Sequence, residues 1–493
     1  MRSPSRSVHP RTPVLVGVGT SESSAPVPDL LTEACIRAAE DAGTPSLLGA
    51  VERINLPQGS WTLTDPARTV ARRIGAPHAY TYRYEIGVSQ QEVMHDALSC
   101  IADGGTDVVL VLGGEARAYA RRMGQEHGAG QEGDDEERPP DITITRPPDF
   151  VAPIELAAGL VWPPVQQYAV IENALAAHEQ LTPGAQSDEI AGLWARFNGV
   201  AQRNPRAAFP SPMSATEIAT PGPKNRPLAY PYNLWHSSQW TVDQASALLF
   251  CSAERAAELQ VATDRWIFSH VALHSSQAIT LTARRRLHAW PAMAVLGRAA
   301  AEHLGVPLGE TEIAEIYSCF PAAVRVQQRA LGLDPGGTPT VTGGMTFAGG
   351  PFNNFVFEAT AAVVPLLRSA PEKRGLVTTV SGMLTKPGLA VWSGEPPTGG
   401  PLVADLADEA SARTPTVPVA TPEEAGGRAT VVSFTVTYAA DDPLRPARTA
   451  IVADLADGKR TAATCDDAAT ARQAVAEGLI GRSVDIQGTA FTP

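Results

Sequence analysis

Three short stretches of this chain gather the side chains best suited to chemistry. Glu315-Ile316-Tyr317-Ser318-Cys319-Phe320 sets a phenol, a hydroxyl and a thiol side by side after an apolar strand. Val380-Ser381-Gly382-Met383-Leu384-Thr385-Lys386-Pro387-Gly388 brings a hydroxyl and an ammonium into one loop, and Thr342-Gly343-Gly344-Met345-Thr346-Phe347-Ala348-Gly349-Gly350-Pro351 is rich in glycine. Such side chains exchange protons or attack carbonyl carbon when the surroundings activate them. Each also has a plain structural reading. Tyr317 can cap its loop and Cys319 can pack beside Phe320. The Ser381 hydroxyl has too high a pKa for acid/base work without a neighbouring base, and Lys386 is ordinarily solvated or paired with a carbonyl. Ser89-Gln90-Gln91-Glu92 has the SxxE form of a capping box, so Ser89 reads as a helix cap before it reads as a nucleophile. The Gly349-Gly350 pair supplies a tight turn and a backbone amide, and Pro351 suits the first turn of a following helix.

The remaining candidates are weaker. Cys35, Cys100, Cys251, Cys319 and Cys465 are scattered, odd in number and without CxxC spacing, which supports neither a disulfide framework nor a zinc site. They read as reduced thiols, most of them buried, with Cys100 on or beside the Ala97 and Ile101 face of its helix. His270 and His274 are four apart, but Val271-Ala272-Leu273 between them is strand-like, so no metal pair is expected.

Elements able to position these loops follow from the apolar periodicity. The 493 residues favour two or three domains. Residues 13 to 115 alternate apolar strands with amphipathic helices, which predicts a covered, largely parallel sheet. Residues 116 to about 262 break that rhythm. Gln125 to Pro148, with the run Asp134-Asp135-Glu136-Glu137, reads as a mobile surface loop, and helices are expected over Tyr168 to Ala177 and Ile190 to Val200. Alternation resumes from Trp266, and Ser393 to Pro401 has a linker's composition. Beyond it, Thr430 to Tyr438 alternates at period two and Asp457-Gly458 marks a hairpin, so a small all-β module closes the chain.

A net charge of -13 argues against nucleic acid held on a broadly basic face. No apolar run approaches the roughly 20 residues of a membrane helix, and the start has no signal-type core, which points to a cytoplasmic protein.

The loops at 315 to 320 and 342 to 351 resemble two catalytic loops of the thiolase superfamily, nearest to its sterol carrier protein thiolase branch. The added β-module makes the thiolase-like protein type 1 group the most similar. The resemblance implies an α/β, two-halved layered fold with an inserted loop region, plus a small antiparallel β-barrel: residues 1–262 with the insertion at about 116–262, residues 263–400, and residues 401–493. It also implies a degenerate centre. Gly350 stands where thiolases carry the His of Gly-His-Pro, Tyr317 where they carry Asn or His, and no cysteine occupies the nucleophile position near Val88 and Ser89 or the second cysteine position at Ser381.

Classical thiolase activity is therefore not expected, and whether any reaction is catalysed stays open. Tyr317, Cys319 and Ser381 are the candidate catalytic residues, and Gly349, Gly350 and Met383 the candidate ligand contacts. Three functions are compatible with these residues. The first is non-covalent binding of an acyl-thioester, a coenzyme A derivative or another apolar small molecule, with no covalent cofactor and no metal. The second is an acyltransferase or a carbon–carbon lyase of retro-aldol type using Tyr317, because tyrosines handle protons in thiolase-fold aldolases that work with an OB-fold partner. The third is a scaffold that recruits a protein partner through the β-module. Coenzyme A phosphates would seek Arg284-Arg285-Arg286 or Arg117, Arg121 and Arg122, each otherwise a solvated patch, and Trp235 and Trp240 would line a cavity or fill a core.

Overall fold

The structure, a computed structural model, describes residues 8–125, 138–146 and 150–493. The acidic run 134–137 lies outside the described residues, but the expected loop around it contains a short strand.

In chain order the strands are β1 (Pro13–Ser21), β2 (Arg53–Pro57), β3 (Tyr80–Tyr84), β4 (Val108–Ala116), β5 (Ile142–Ile144), β6 (Pro227–Ala229), β7 (Tyr232–Asn233), β8 (Asp243–Ser252) and β9 (Ile267–His274). They continue with β10 (Ile313–Glu315), β11 (Arg374–Ser381), β12 (Lys386–Ser393), β13 (Leu402–Asp405), β14 (Gly426–Tyr438), β15 (Pro446–Leu455), β16 (Arg460–Cys465), β17 (Ser483–Gln487) and β18 (Ala490–Thr492). The main sheet runs β10-β11-β12-β9-β1-β8-β4-β2-β3-β5, with β13 added on β9. It is mixed rather than largely parallel. β4, β2, β3 and β5 are parallel neighbours, whereas β8 lies antiparallel between β1 and β4 and β12 antiparallel between β9 and β11.

The two halves of this sheet meet only through the short pairing of Val14 with Phe268 and Leu15 with Ile267. Between them lie two central helices, Gln90–Ala102 and Phe355–Ser369, each touching strands of both halves. Their composition explains their place. Val93, Met94, Ala97, Leu98 and Ile101 of the first, and Phe355, Val356, Phe357, Ala359, Val363 and Val364 of the second, are all buried. Helix Val27–Asp41 covers the outer face of one half and helix Pro291–Leu304 that of the other, completing a layered α/β fold.

The C-terminal strands close into a barrel, β14-β15-β16-β18-β17 and back to β14. Every pairing is antiparallel except the single bridge between Thr464 and Ala490. The Asp457-Gly458 turn joins β15 to β16 as expected, with Gly458 N donating to Leu455 O. The barrel is bolted to the insertion: Ser433 Oγ donates to Val170 O at 2.6 Å, Asn173 Nδ2 donates to Phe434 O at 2.9 Å, and β6 extends β14. Among the described residues no helix is long and apolar enough to cross a membrane.

One buried ion pair holds these parts in register. Glu172, from helix Val165–His178, is fully buried and pairs with Arg325 of helix Pro321–Leu331. Arg325 also reaches Glu179 at 2.8 Å and Glu189 at 2.6 Å. Tyr232 of β7 donates to Glu172 Oε2 at 2.7 Å and accepts from Ala322 N at 3.0 Å. Removing one partner of such a pair strands a desolvated charge. Arg325→Met is expected to lower unfolding stability by about 3–5 kcal/mol, and Glu172→Gln in the same chain to restore most of it. Chemical denaturation of the two variants reads this out; equal stabilities would contradict it.

Candidate functional site

The site is built where four loops meet at one end of the central helices. Ser89 caps the helix Gln90–Ala102 as expected, accepting from Glu92 N at 3.1 Å. The capping box is not reciprocal, because the Glu92 carboxylate turns to Arg146. One residue ahead of Val88, the Gly87 carbonyl accepts from Ser381 Oγ at 3.4 Å and from Lys386 Nζ. Lys386 is buried, opposite Ser381 in the β11–β12 pairing, and a carbonyl-pairing lysine is what the structure contains.

Tyr317 and Cys319 stand on the neighbouring loop. Tyr317 N donates to Thr378 Oγ1 at 2.9 Å, its carbonyl accepts from Gln327 Nε2 at 2.8 Å, and its ring meets Phe355 edge-on at 5.7 Å. Its hydroxyl makes no hydrogen bond to any described residue. The Cys319 thiol is buried beside the Tyr168 hydroxyl, and burial pushes its pKa up to about 12. It is therefore a neutral thiol at pH 7, the opposite of an activated nucleophile. Burial likewise raises the Tyr317 and Tyr168 phenols. Tyr168 stacks on Phe320 at 4.5 Å and donates to Gly382 O at 3.3 Å, which joins this loop to Ser381 and Met383.

The glycine loop is closed from outside. Glu315 accepts from Val341 N, Thr342 N and Thr340 Oγ1 at 2.7–2.9 Å, while Ser318 Oγ accepts from Met345 N at 3.0 Å. Residues 234–240 then wedge in: Ser238 N donates to Cys319 O at 2.9 Å, Gln239 N to Met345 O at 3.1 Å, and Gly350 N to Gln239 O at 2.9 Å. A Cβ at position 350 would drive into Ser238 Oγ, far inside the 3.0 Å below which real Cβ contacts essentially never lie. Gly349, with φ +120°, similarly abuts the Gln244 amide. Thus Gly350 N is spent on a backbone bond rather than offered to a ligand. Pro351 does not start the next helix either; a 3-10 turn, Phe352–Asn354, intervenes before Phe355.

The structure brings Ser381, Met383, Tyr317, Cys319, Gly350 and the Val88–Ser89 helix start into one region. It also adds residues that sequence reasoning missed. Tyr168 was hidden in a helix pattern, and the Ser238 wedge and His236 lay in an insertion without a motif. Buried His236 accepts from Asn233 N at 3.0 Å through Nδ1, and burial lowers its pKa to about 3, so it stays neutral. Arg284 is not a surface cation: it is buried, donates to Met383 O at 2.5 Å, and burial lowers its pKa to about 10. Trp235, partly buried, packs on Phe347 at the edge of the core, whereas Trp240 lies on the surface under Arg117 at 3.8 Å.

Residues 408–490 match the family model for the thiolase-like protein type 1 additional C-terminal domain. An acetyl-CoA acetyltransferase of Methanocaldococcus jannaschii is 27% identical over 132 residues, 27% of this chain and 32% of that relative, so the match spans about a third of the relative's length. Among solved structures, a monomeric SCP2-thiolase like protein type 1 from Mycobacterium smegmatis aligns with 98% of both chains at a TM-score of 0.82 and 28% identity. An Ltp2-ChsH2(DUF35) aldolase aligns with 78% of this chain and 99% of its own at 0.56 and 18% identity. The dimeric peroxisomal thiolase of Saccharomyces cerevisiae aligns with 78% and 98% at 0.53 and 15% identity. The last two share the fold.

Two measurements follow from this geometry. Gly350→Ala is expected to cost about 1–3 kcal/mol by overpacking, and Ser238→Gly in the same chain to recover it; a Gly350→Ala protein as stable as the parent would show that the wedge yields. Behind the loop, Glu358 is buried, its Oε2 has no hydrogen-bond partner, and burial pushes its pKa from 4.5 up to about 8. The folded state then holds a proton that the unfolded state releases above pH 4.5, so stability from this group is full below pH 4.5 and lost as pH rises through about 8. Glu358→Gln should flatten that decline in denaturation midpoints between pH 5 and 8.

Proposed function

We propose that this chain, which resembles thiolase-like protein type 1 along its length and carries that group's additional C-terminal domain, binds a small acyl-type ligand without thiolase turnover. The ligand class is an acyl-thioester, a coenzyme A derivative or a similarly apolar small molecule. The observation that carries the reading is the wedge of residues 234–240. Ser238 occupies the space a side chain at position 350 would enter, and with glycine there general acid/base work at that point has no group to perform it. The neutral Cys319 thiol and the carbonyl-paired Ser381 and Lys386 support the same conclusion. Retention of a thiolase-like scaffold around them supports ligand binding rather than an unrelated task.

A second reading rests on one observation, the Tyr317 hydroxyl without a partner among the described residues. A neutral phenol held in an apolar setting can deliver its proton to the enolate carbon that develops as a retro-aldol step breaks the carbon–carbon bond, while the β-hydroxyl proton passes to water as that carbon becomes a carbonyl.

Calorimetric titration with coenzyme A, acetyl-coenzyme A and a medium-chain acyl-coenzyme A is expected to show saturable binding of at least one ester, with no thiolysis of acetoacetyl-coenzyme A and no mass adduct on Cys319. Absence of binding up to about millimolar ligand removes the first reading. Cleavage of a β-hydroxyacyl ester that is lost in Tyr317→Phe, with binding kept, would replace it by the second.

A further inference from the structure

At the opposite end of the helix Gln90–Ala102 from the site, a groove of about 390 Å³ opens between that helix and the first residues of β2 and β3, lined among others by Arg53, His78, Tyr80, Tyr82 and Cys100. Its volume lies in the range of small-molecule sites. Tyr80 and Tyr82 are two apart on β3 and so present their rings to the same face. Tyr80 is 65% exposed, because β5 pairs with β3 only from Tyr82 onward and leaves the first ring uncovered.

The polar groups around the groove are unequally satisfied. Glu52 accepts from Thr106 Oγ1 and from Asp107 N, Asp96 accepts from the Tyr84 hydroxyl at 3.0 Å, and Asp107 pairs with Arg11. The carboxylates are thus occupied by protein donors. Arg53 differs. Its Nε donates to Asn55 Oδ1 at 2.7 Å, its Nη2 donates to Tyr84 OH at 2.8 Å with Asp96 at 3.8 Å, and its guanidinium lies 3.6 Å over the Tyr82 ring. Nη1 makes no hydrogen bond to any described residue. Two directed bonds and a stacked face fix the guanidinium in place, so its remaining N–H pair is preorganised for an acceptor at little conformational cost. Cys100, expected to be buried, is only partly buried and lines the groove's helix wall.

We propose that this groove binds a planar aromatic carboxylate, with the carboxylate on Arg53 Nη1 and the ring against Tyr80. Charge-assisted hydrogen bonding to a fixed guanidinium selects the anion, and the uncovered phenol face selects a flat ring. The site is separate from the thiolase-like loops and independent of what binds there.

The probe is 2-naphthoate, with 2-naphthalenemethanol as the same ring without the charge. Calorimetric titration gives affinity, and mass spectrometry of iodoacetamide-treated protein gives position, because Cys100 lines the groove while half-exposed Cys465 in the barrel does not. Saturable binding of 2-naphthoate is expected, together with slower alkylation of Cys100 and unchanged alkylation of Cys465. The alcohol should bind about tenfold more weakly or worse. Tyr80→Ala, an exposed position with little bearing on folding, should weaken binding by roughly threefold to tenfold, and Arg53→Gln by more. No binding up to about 10 mM overturns the proposal. So does equal binding of the alcohol, or binding that Tyr80→Ala leaves unchanged and that does not protect Cys100.

Discussion

The buried carboxylate of Glu172 is the point on which the arrangement around the loops depends. It is held by Arg325 and by the Tyr232 hydroxyl, and the same hydroxyl accepts from the first free amide of the helix that begins at Pro321. Three parts of the chain far apart in sequence are fixed at once: the inserted helix, the short β7 strand continuous with the barrel sheet, and the loop from Tyr317 to Phe320 that leads into Pro321. Because the low dielectric strengthens each of these bonds and penalises losing any one, the unit has a single favourable geometry. Phe320 confirms how close the tolerance is, with its ring stacked between Tyr168 and Tyr232 at 4.5 and 5.8 Å.

From that fixed loop the chemistry of the region follows. Its backbone groups are turned toward one another rather than toward a cavity: Cys319 O meets Ser238 N, Met345 O meets Gln239 N, and Gly350 N meets Gln239 O. Cys319, Tyr317, Tyr168 and His236 lie in the same dry surroundings, and burial moves each of these toward its neutral form, the thiol and the phenols upward and the imidazole downward. A reactive centre needs a charged or readily charged group within reach of its base. Here the backbone groups of Cys319, Met345 and Gly350 hold their loops to residues 238–239.

What the sequence made legible was local. Ser89 capping its helix, the Asp457-Gly458 hairpin and the alternation from Thr430 to Tyr438 depend on residues within a few positions of each other, and the structure reproduces them. The resemblance carried further, to the layered fold and the barrel, because the loops at 315 to 320 and 342 to 351 travel with a scaffold. Long-range facts were out of reach. That Ser238 would lie against Gly350 and that Tyr168 would meet Gly382 depend on how a motif-free insertion folds back over residues more than a hundred positions away, and the burial of Arg284 on the Met383 carbonyl depends on a contact 99 positions apart within the second half. The sheet's mixed sense was missed for a similar reason: β8 pairs between β1 and β4 after an intervening stretch of more than a hundred residues, and no periodicity announces the direction of return.

The main sheet ends on one side at β5 and on the other at β10, each three residues long. An edge that short offers a neighbouring chain almost no run of unpaired amides and carbonyls, and Asp141 beside β5 takes up further donors through Arg68 and the Thr81 amide. Among the described residues the eleven-stranded sheet thus ends at β5 and β10 on two edges too short to template much lateral extension. At these two ends a second copy finds little backbone to pair with, so open-ended growth by adding strands there is disfavoured.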